Sequence, residues 1–180
     1  IKNFVNLKNR GWYQTIRNKF YGPPNIKKKN SEKIIVFNDD DEVLDYKLAN
    51  CCNPIPGDMI FGFLTVVDGI KVHRFDCPNS IQLRSNYSYR ILNGKWINKE
   101  EIDFIATINI KGIDSVGLMN KVTQIISNQM NVNIKSINIS TDDGVFEGII
   151  TLKVHNVSFL KELTKKIQKI DNISSITRTY

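Results

Sequence analysis

The sequence predicts an α+β chain: a small β-hairpin module carrying cysteines, followed by a ferredoxin-like βαββαβ unit. Three observations predict it. All three cysteines and one of the two histidines fall between Leu48 and Cys77, a stretch that also holds a hairpin pattern. From Phe104 onward, apolar residues recur alternately at strand spacing and at helical spacing, six segments in the order β, α, β, β, α, β. Between Ile1 and Lys33 the chain is basic and polar with a Gly-Pro-Pro break, which separates it from both. The expected divisions are therefore 1–33, a basic helical segment and linker; 34–100, the cysteine module; and 101–180, the βαββαβ unit.

The chain has 180 residues, 41% hydrophobic, with a formal net charge of +7. No apolar run approaches the ~20 residues of a membrane span. Three cysteines, two of them adjacent, do not read as a disulfide framework. Ile1 stands where an initiator Met would, so the chain reads as part of a longer protein. The charge is uneven: residues 1–34 hold nine basic and one acidic residue, while residues 35–100 hold seven basic and nine acidic. Phe4, Trp12, Ile16 and Phe20 lie near helical spacing, predicting a helix over about 3–20 that Gly22-Pro23-Pro24 ends. The linker around Lys27-Lys28-Lys29 reads either as an RNA-contacting segment or, the favoured reading, as solvated chain beside a helix that docks elsewhere.

In the cysteine module, Ile34 to Phe37 predicts a short strand and Asn38 to Glu42 an acidic, solvated loop. Met59 to Val67 and Ile70 to Arg74 predict two strands joined by an Asp68-Gly69 hairpin turn. Period-2 alternation puts Ile70 and Val72 on one face, with Lys71 and His73 on the other. Pro78 suits a first helical position, so Asn79 to Arg84 predicts a short helix with Cys77 at its N-terminus, where a thiol ionises more easily. Asn93-Gly94 predicts a second hairpin between Tyr87–Leu92 and Lys95–Ile97. The hairpin returns His73 and Cys77 towards Cys51 and Cys52, giving four nitrogen and sulfur donors of the kind tetrahedral zinc takes. Asp76 is a substitute ligand or a partner behind the ligands. Adjacent strand residues point oppositely, so both Cys51 and Cys52 can ligate only if the backbone turns, and Asn53-Pro54-Ile55-Pro56-Gly57 offers that turn. Small buried thiols beside a satisfied histidine are the alternative. A zinc hydrolase or deaminase does not fit: a His-Glu-x-x-His helix is missing and four protein ligands leave no open position.

In the second unit, Phe104, Ala106, Ile108 and Ile110 predict a strand, and Gly112 to Ser115 a turn with Asp114 or Ser115 as helix cap. Met119, Val122, Ile126 and Met130 line a helix to about Gln129. Ile134 followed by Ile137 and Ile139 shifts phase by one residue, predicting a bulge in a strand over Val132–Thr141. Asp142-Asp143-Gly144 turns the chain into a strand lined by Phe146, Ile150, Leu152 and Val154. Leu160, Leu163, Ile167 and Ile170 predict the second helix, and Ile173 to Tyr180 the last strand.

The string Cys51-Cys52-Asn53-Pro54-Ile55-Pro56-Gly57-Asp58, with Gly69-Ile70, Val72-His73-Arg74 and Asp76-Cys77-Pro78, resembles the conserved-cysteine module of the RelA/SpoT family. Gly112-Ile113-Asp114-Ser115-Val116-Gly117-Leu118-Met119 and Val132-Asn133-Ile134 resemble the ACT domain that follows this module in that family. The resemblance spans about Asp45 to Tyr180. It implies the zinc-finger, or ribosome-intersubunit, module and the ACT domain of a stringent-response enzyme that makes or degrades (p)ppGpp. The implied role is regulatory, in the cytoplasm: sensing ribosomal RNA and the A-site tRNA region, and restraining a catalytic half of the same protein, with no catalytic site in this stretch. Further implications are RNA contact through Lys71, Arg74, Arg84 and Arg90, and an amino-acid site at Asp114, Ser115, Val116, Gly117, Leu118 and Asn133. That site would form where two ACT copies pair. Ser115 replaces the basic residue usual after the Asp. A stand-alone amino-acid sensor without ribosome binding is the other reading.

Overall fold

The computed structural model describes residues 34–38, 44–97 and 102–179. The expected helix over 3–20, the basic linker and the acidic run 39–42 lie outside the described residues. The first module is a five-stranded sheet built from β1 (Ile35–Phe37), β2 (Tyr46–Leu48), β3 (Ile60–Leu64), β4 (Ile70–Arg74) and β5 (Ile91–Trp96), with spatial order β1-β5-β3-β4-β2. β2 runs parallel to β4 while the other neighbours are antiparallel. Helix α1 (Pro78–Asn86) and a 3₁₀ turn (Ser88–Arg90) link β4 to β5.

Two details of this sheet differ from the sequence reading. Asn93-Gly94 does not turn the chain. Both residues lie inside β5, which pairs with β1 on one side and β3 on the other. A Cβ on Gly94 would stand 3.3 Å from the Ile60 side chain, so this glycine serves close strand packing. The β3–β4 connection is also longer than a two-residue turn. β3 ends at Leu64, and Thr65 closes the loop by donating from its N–H to Gly69 O (2.9 Å) and from its hydroxyl to the same oxygen (2.7 Å). This leaves Val66 and Val67 exposed at the tip.

The second module follows the expected order: β6 (Phe104–Ile113), α2 (Leu118–Thr123), β7 (Ile134–Asp142), β8 (Val145–Val154), α3 (Val157–Ile167) and β9 (Ile173–Arg178), in an antiparallel sheet ordered β7-β8-β6-β9. The phase change in β7 is a bulge between Ile134 and Ser136. Asp143 and Gly144, at φ 46° and 75°, make the β7–β8 turn. Asn156 caps α3 by accepting from Phe159 N–H at 2.8 Å. The α2 cap differs from expectation: Gly117, at φ 79°, holds the cap position, and Ser115 contributes its backbone oxygen to Leu118 N–H (3.1 Å). Beyond Thr123 the helix widens into π turns over Gln124–Gln129. A spacing of four drifts by about 40° per step around an α-helix. The wider turns cancel that drift and keep Val122, Ile126 and Met130 all inward.

Alternate residues of β6 and β8 (Ala106, Ile108 and Ile110; Phe146, Ile150 and Leu152) form the core with Val122 and Ile126, and with Leu160, Leu163 and Ile167 of α3. Ile55 of the first module belongs to that same core and is fully buried. The ring of Trp96 meets that of Phe104 edge-on at 5.8 Å, and its indole N–H donates to Asp58 O (3.1 Å). The two sheets thus share a packed seam.

Candidate metal centre

Cys51 and Cys52 sit in a tight turn in which Ala49 O accepts from Cys52 N–H (3.3 Å) and Asn53 N–H (2.9 Å). Asn53 takes a left-handed φ of 40°, a conformation asparagine tolerates. This turn answers the objection that adjacent side chains diverge. His73 comes from β4, its ring stacked on Phe61 with 5.6 Å between centroids. Cys77 is the N-cap of α1, directly before Pro78.

One ligand atom from each of Cys51, Cys52, His73 and Cys77 lies within 4.8 Å of all the others. Cys51 Sγ is 3.6 Å from Cys77 Sγ and 3.4 Å from His73 Nδ1, and Cys52 Sγ is 3.9 Å from the same nitrogen. A tetrahedral zinc with Zn–S bonds near 2.3 Å would set its sulfurs roughly 3.8 Å apart. The spacing and the donor chemistry therefore both fit a metal ion held by Cys51, Cys52, His73 Nδ1 and Cys77. Burial pushes the Cys52 thiol up to about 12. Burial also raises Cys77, outweighing the hydrogen bond from Asn79 N–H, so the helix N-terminus does not by itself activate this thiol. His73 is held below its usual range, first by burial and then by Lys71, which favours the neutral, ligating imidazole. A bound cation would favour the thiolate forms instead.

Behind the ligands stands Arg74. Its N–H donates to Cys52 Sγ (3.4 Å) and its guanidinium to Cys52 O (3.4 Å). Asp76 does not join the donor set; it accepts from Arg74 Nε at 2.8 Å and also binds Nη2. Those hydrogen bonds hold the Asp76 carboxyl below the usual range. Asp76 thus acts on the cluster through Arg74.

Family models match both modules: the RelA/SpoT RIS domain over residues 35–97 and the ACT domain over residues 100–178. GTP pyrophosphokinase of Escherichia coli strain K12 is 29% identical over 169 residues, covering 92% of this chain and 22% of its own length. GTP pyrophosphokinase of Streptomyces coelicolor is 34% identical over 133 residues, covering 73% of this chain and 16% of its own. The chain belongs to the RelA/SpoT family. Its RIS and ACT domains are regulatory modules of that family. The bifunctional (p)ppGpp synthase/hydrolase RelA of Mycobacterium tuberculosis is 31% identical over 133 residues, covering 73% of this chain and 18% of its own. The chain thus spans about a fifth of the length of these relatives. The crystal structure of the ACT domain from GTP pyrophosphokinase of Chlorobium tepidum is similar to 43% of this chain and 99% of its own, at 32% identity and a TM-score of 0.40.

The RIS domain distributes the four basic residues expected to meet RNA unequally. Arg74 was expected to be exposed, yet it is only 5% accessible and engaged with Cys52, Asp58 and Asp76, so it has no surface to offer RNA. Lys71 is partly exposed and paired with Asp68 at 2.8 Å. Arg84 lies over the Phe75 ring at 4.8 Å. Arg90 lies over two exposed rings, 5.6 Å from Tyr87 and 5.5 Å from Tyr89. In the ACT domain, Asp114, Ser115, Val116 and Gly117 share one loop, with Asp114 N–H bound to Gly144 O (2.8 Å) and Ser115 Oγ to Asn172 Nδ2 (3.2 Å). Leu118 turns inward into the core. Asn133 precedes β7, at the end of the sheet where Ile134 pairs with Leu152, whereas the Asp114 loop lies at the opposite end, beside Gly144. One chain does not bring Asn133 to that loop. Sequence reasoning read the segment Asn53–Asp58 only as a turn and family string, and missed both its packing on the ACT domain and Arg178. The signal available was Ile55, an apolar residue isolated between two prolines.

Proposed function

We propose that this chain is the regulatory region of a stringent-response GTP pyrophosphokinase or (p)ppGpp hydrolase. In this reading it senses the ribosome and restrains a catalytic half of the same protein. The RIS domain holds one structural zinc on Cys51, Cys52, His73 and Cys77, and that ion stabilises a module with a small core of its own. The observation that carries the ribosome reading is Arg90, whose guanidinium sits across Tyr87 and Tyr89, themselves 42% and 53% exposed. Arginine with exposed tyrosine suits stacking on unpaired bases beside phosphates, as ribosomal RNA and the A-site tRNA region present them. Lys71 and Arg84 add charge.

In the ACT domain, β7 is an edge strand whose residues are mostly exposed. Antiparallel pairing of two β7 edges would set Asn133 of one copy near the Asp114 loop of the other. An amino acid would bind in that dimer. Among the described residues, no helix is long and apolar enough to cross a membrane.

Co-sedimentation with ribosomes over a salt series tests the reading. Replacing Arg90 by Ala should weaken binding and lower the salt slope by about 1. Tyr87→Ala should weaken binding without changing that slope, and zinc content should stay at one per chain in both. Unchanged sedimentation in both variants would remove the ribosome contact from this patch.

A further inference from the structure

We infer that metal occupancy of the cysteine cluster and docking of the ACT domain are thermodynamically coupled, through the loop Asn53–Asp58 that joins them. This rests on the metal reading above.

The loop begins one peptide after Cys52, and the ACT domain grips nearly every residue of it. Asn53 O accepts from Arg178 Nη2 (2.8 Å). Ile55 is buried in the ACT core. Pro56 O accepts from Val157 N–H, at the start of α3 (2.9 Å). Gly57, at φ 95°, lies so close that a Cβ there would be 3.3 Å from Val157 Cβ. Asp58 accepts from Arg178 through both oxygens (2.8 and 3.0 Å), and its Oδ2 also takes Ile55 N–H (2.8 Å). From the metal side, Arg74 ties Cys52 to Asp58. Its backbone N–H meets Cys52 Sγ, and its Nε lies 4.0 Å from Asp58 Oδ1. Arg74 and Arg178 thus flank one nearly buried carboxylate, one reaching from the cluster and the other from β9.

A loop fixed at both ends cannot rearrange at one without cost at the other. A bound metal selects the Cys52 position that the tight turn provides, and that position carries Asn53 to Asp58 to the ACT surface. By linkage, any gain in metal affinity from docking equals the gain in docking from metal. Arg178 and Asp58 touch no donor atom, so they are positioning residues for the metal through the loop.

The test measures zinc affinity of the whole chain by competition with a chromophoric chelator, after zinc stoichiometry has been established. Arg178→Ala and Asp58→Asn should each lower affinity, within the roughly 5–150-fold range of typical couplings. Arg178→Lys, which keeps the charge but not the paired contact, should fall between. Val122→Ala, a core change on α2, should leave affinity unaltered. In the reverse arm, removing zinc from the wild-type chain should speed hydrogen exchange at Val157 N–H, bonded to Pro56 O, more than at Ile150 N–H in the sheet. The reverse arm needs no variant, so a folding failure of Arg178→Ala leaves the inference open to refutation. Wild-type affinity in folded Arg178 and Asp58 variants would overturn it, as would an equal loss in Val122→Ala or an unmoved Val157 amide. A folded wild-type chain that takes up no zinc would overturn both this inference and the metal reading, and the stoichiometry step reveals that case first.

Discussion

Arg74 shows how much a single side chain depends on where its strand lies. By alternation it shares a face with Ile70 and Val72, all three are buried, and its guanidinium is bound by Asp76 and Cys52 O. Gly112 is a second case. A Cβ there would stand 2.0 Å from Asn172 O and 2.8 Å from the Phe146 ring, and that same oxygen accepts from Ile113 N–H at 2.8 Å. Asn172, at φ 72°, cannot readily retreat because Ile173 is already paired with Gly112. Gly112→Ala should therefore cost about 3 kcal/mol, at the upper end of overpacking penalties. A urea midpoint shifted down at constant m would show it. A midpoint within error of the parent would mean that the Asn172 turn moves freely.

At the scale of elements, helix α3 has both a local and a long-range start. Asn156 caps it through Phe159 N–H, while Val157 N–H is satisfied by Pro56 O from the other domain. These satisfy separate orphan donors of the first turn. Removing the cap alone, by Asn156→Ala, should destabilise by about 1 kcal/mol, read as a fall in thermal midpoint with far-UV helicity preserved at 20 °C. Loss of the whole helix would indicate that the cap also anchors the Pro56 contact. Strand β5 shows the opposite relation between local signal and outcome. Asn93-Gly94 is a favoured hairpin pair, but β1 and β3 each offer it a ladder of hydrogen bonds, and two partners outweigh one local turn preference.

At the scale of the molecule, the RIS and ACT domains have separate sheets but share Ile55, Trp96 and the Asp58–Arg178 pair across the seam. With zinc bound, the two should unfold in one cooperative transition, because neither keeps its packed face without the other. Calorimetry with equal van't Hoff and calorimetric enthalpies would show this, and two resolved peaks would contradict it. Chelation should lower the transition temperature. Free zinc at 1,000 times its dissociation constant contributes about 4 kcal/mol to the folded state. An unchanged transition after complete metal removal would count against a structural ion.

Much of this was legible in the chain. The βαββαβ order, the bulge before Ile137, the Asp143-Gly144 turn and the core positions of β6, β8 and α3 follow from local periodicity and backbone preference. Those properties travel with the sequence. The four donors were legible as residue types brought back by a hairpin. What tertiary structure alone decided concerns residues whose partners lie far along the chain: Arg178 on Asp58, Pro56 O on Val157, Ile55 in the ACT core, Arg74 turned inward. Asp58 and Arg178 each have ordinary surface chemistry, and nothing in the spacing between them announces a contact. Their pairing exists because two sheets exclude water around Ile55 and leave that carboxylate and that guanidinium to satisfy each other.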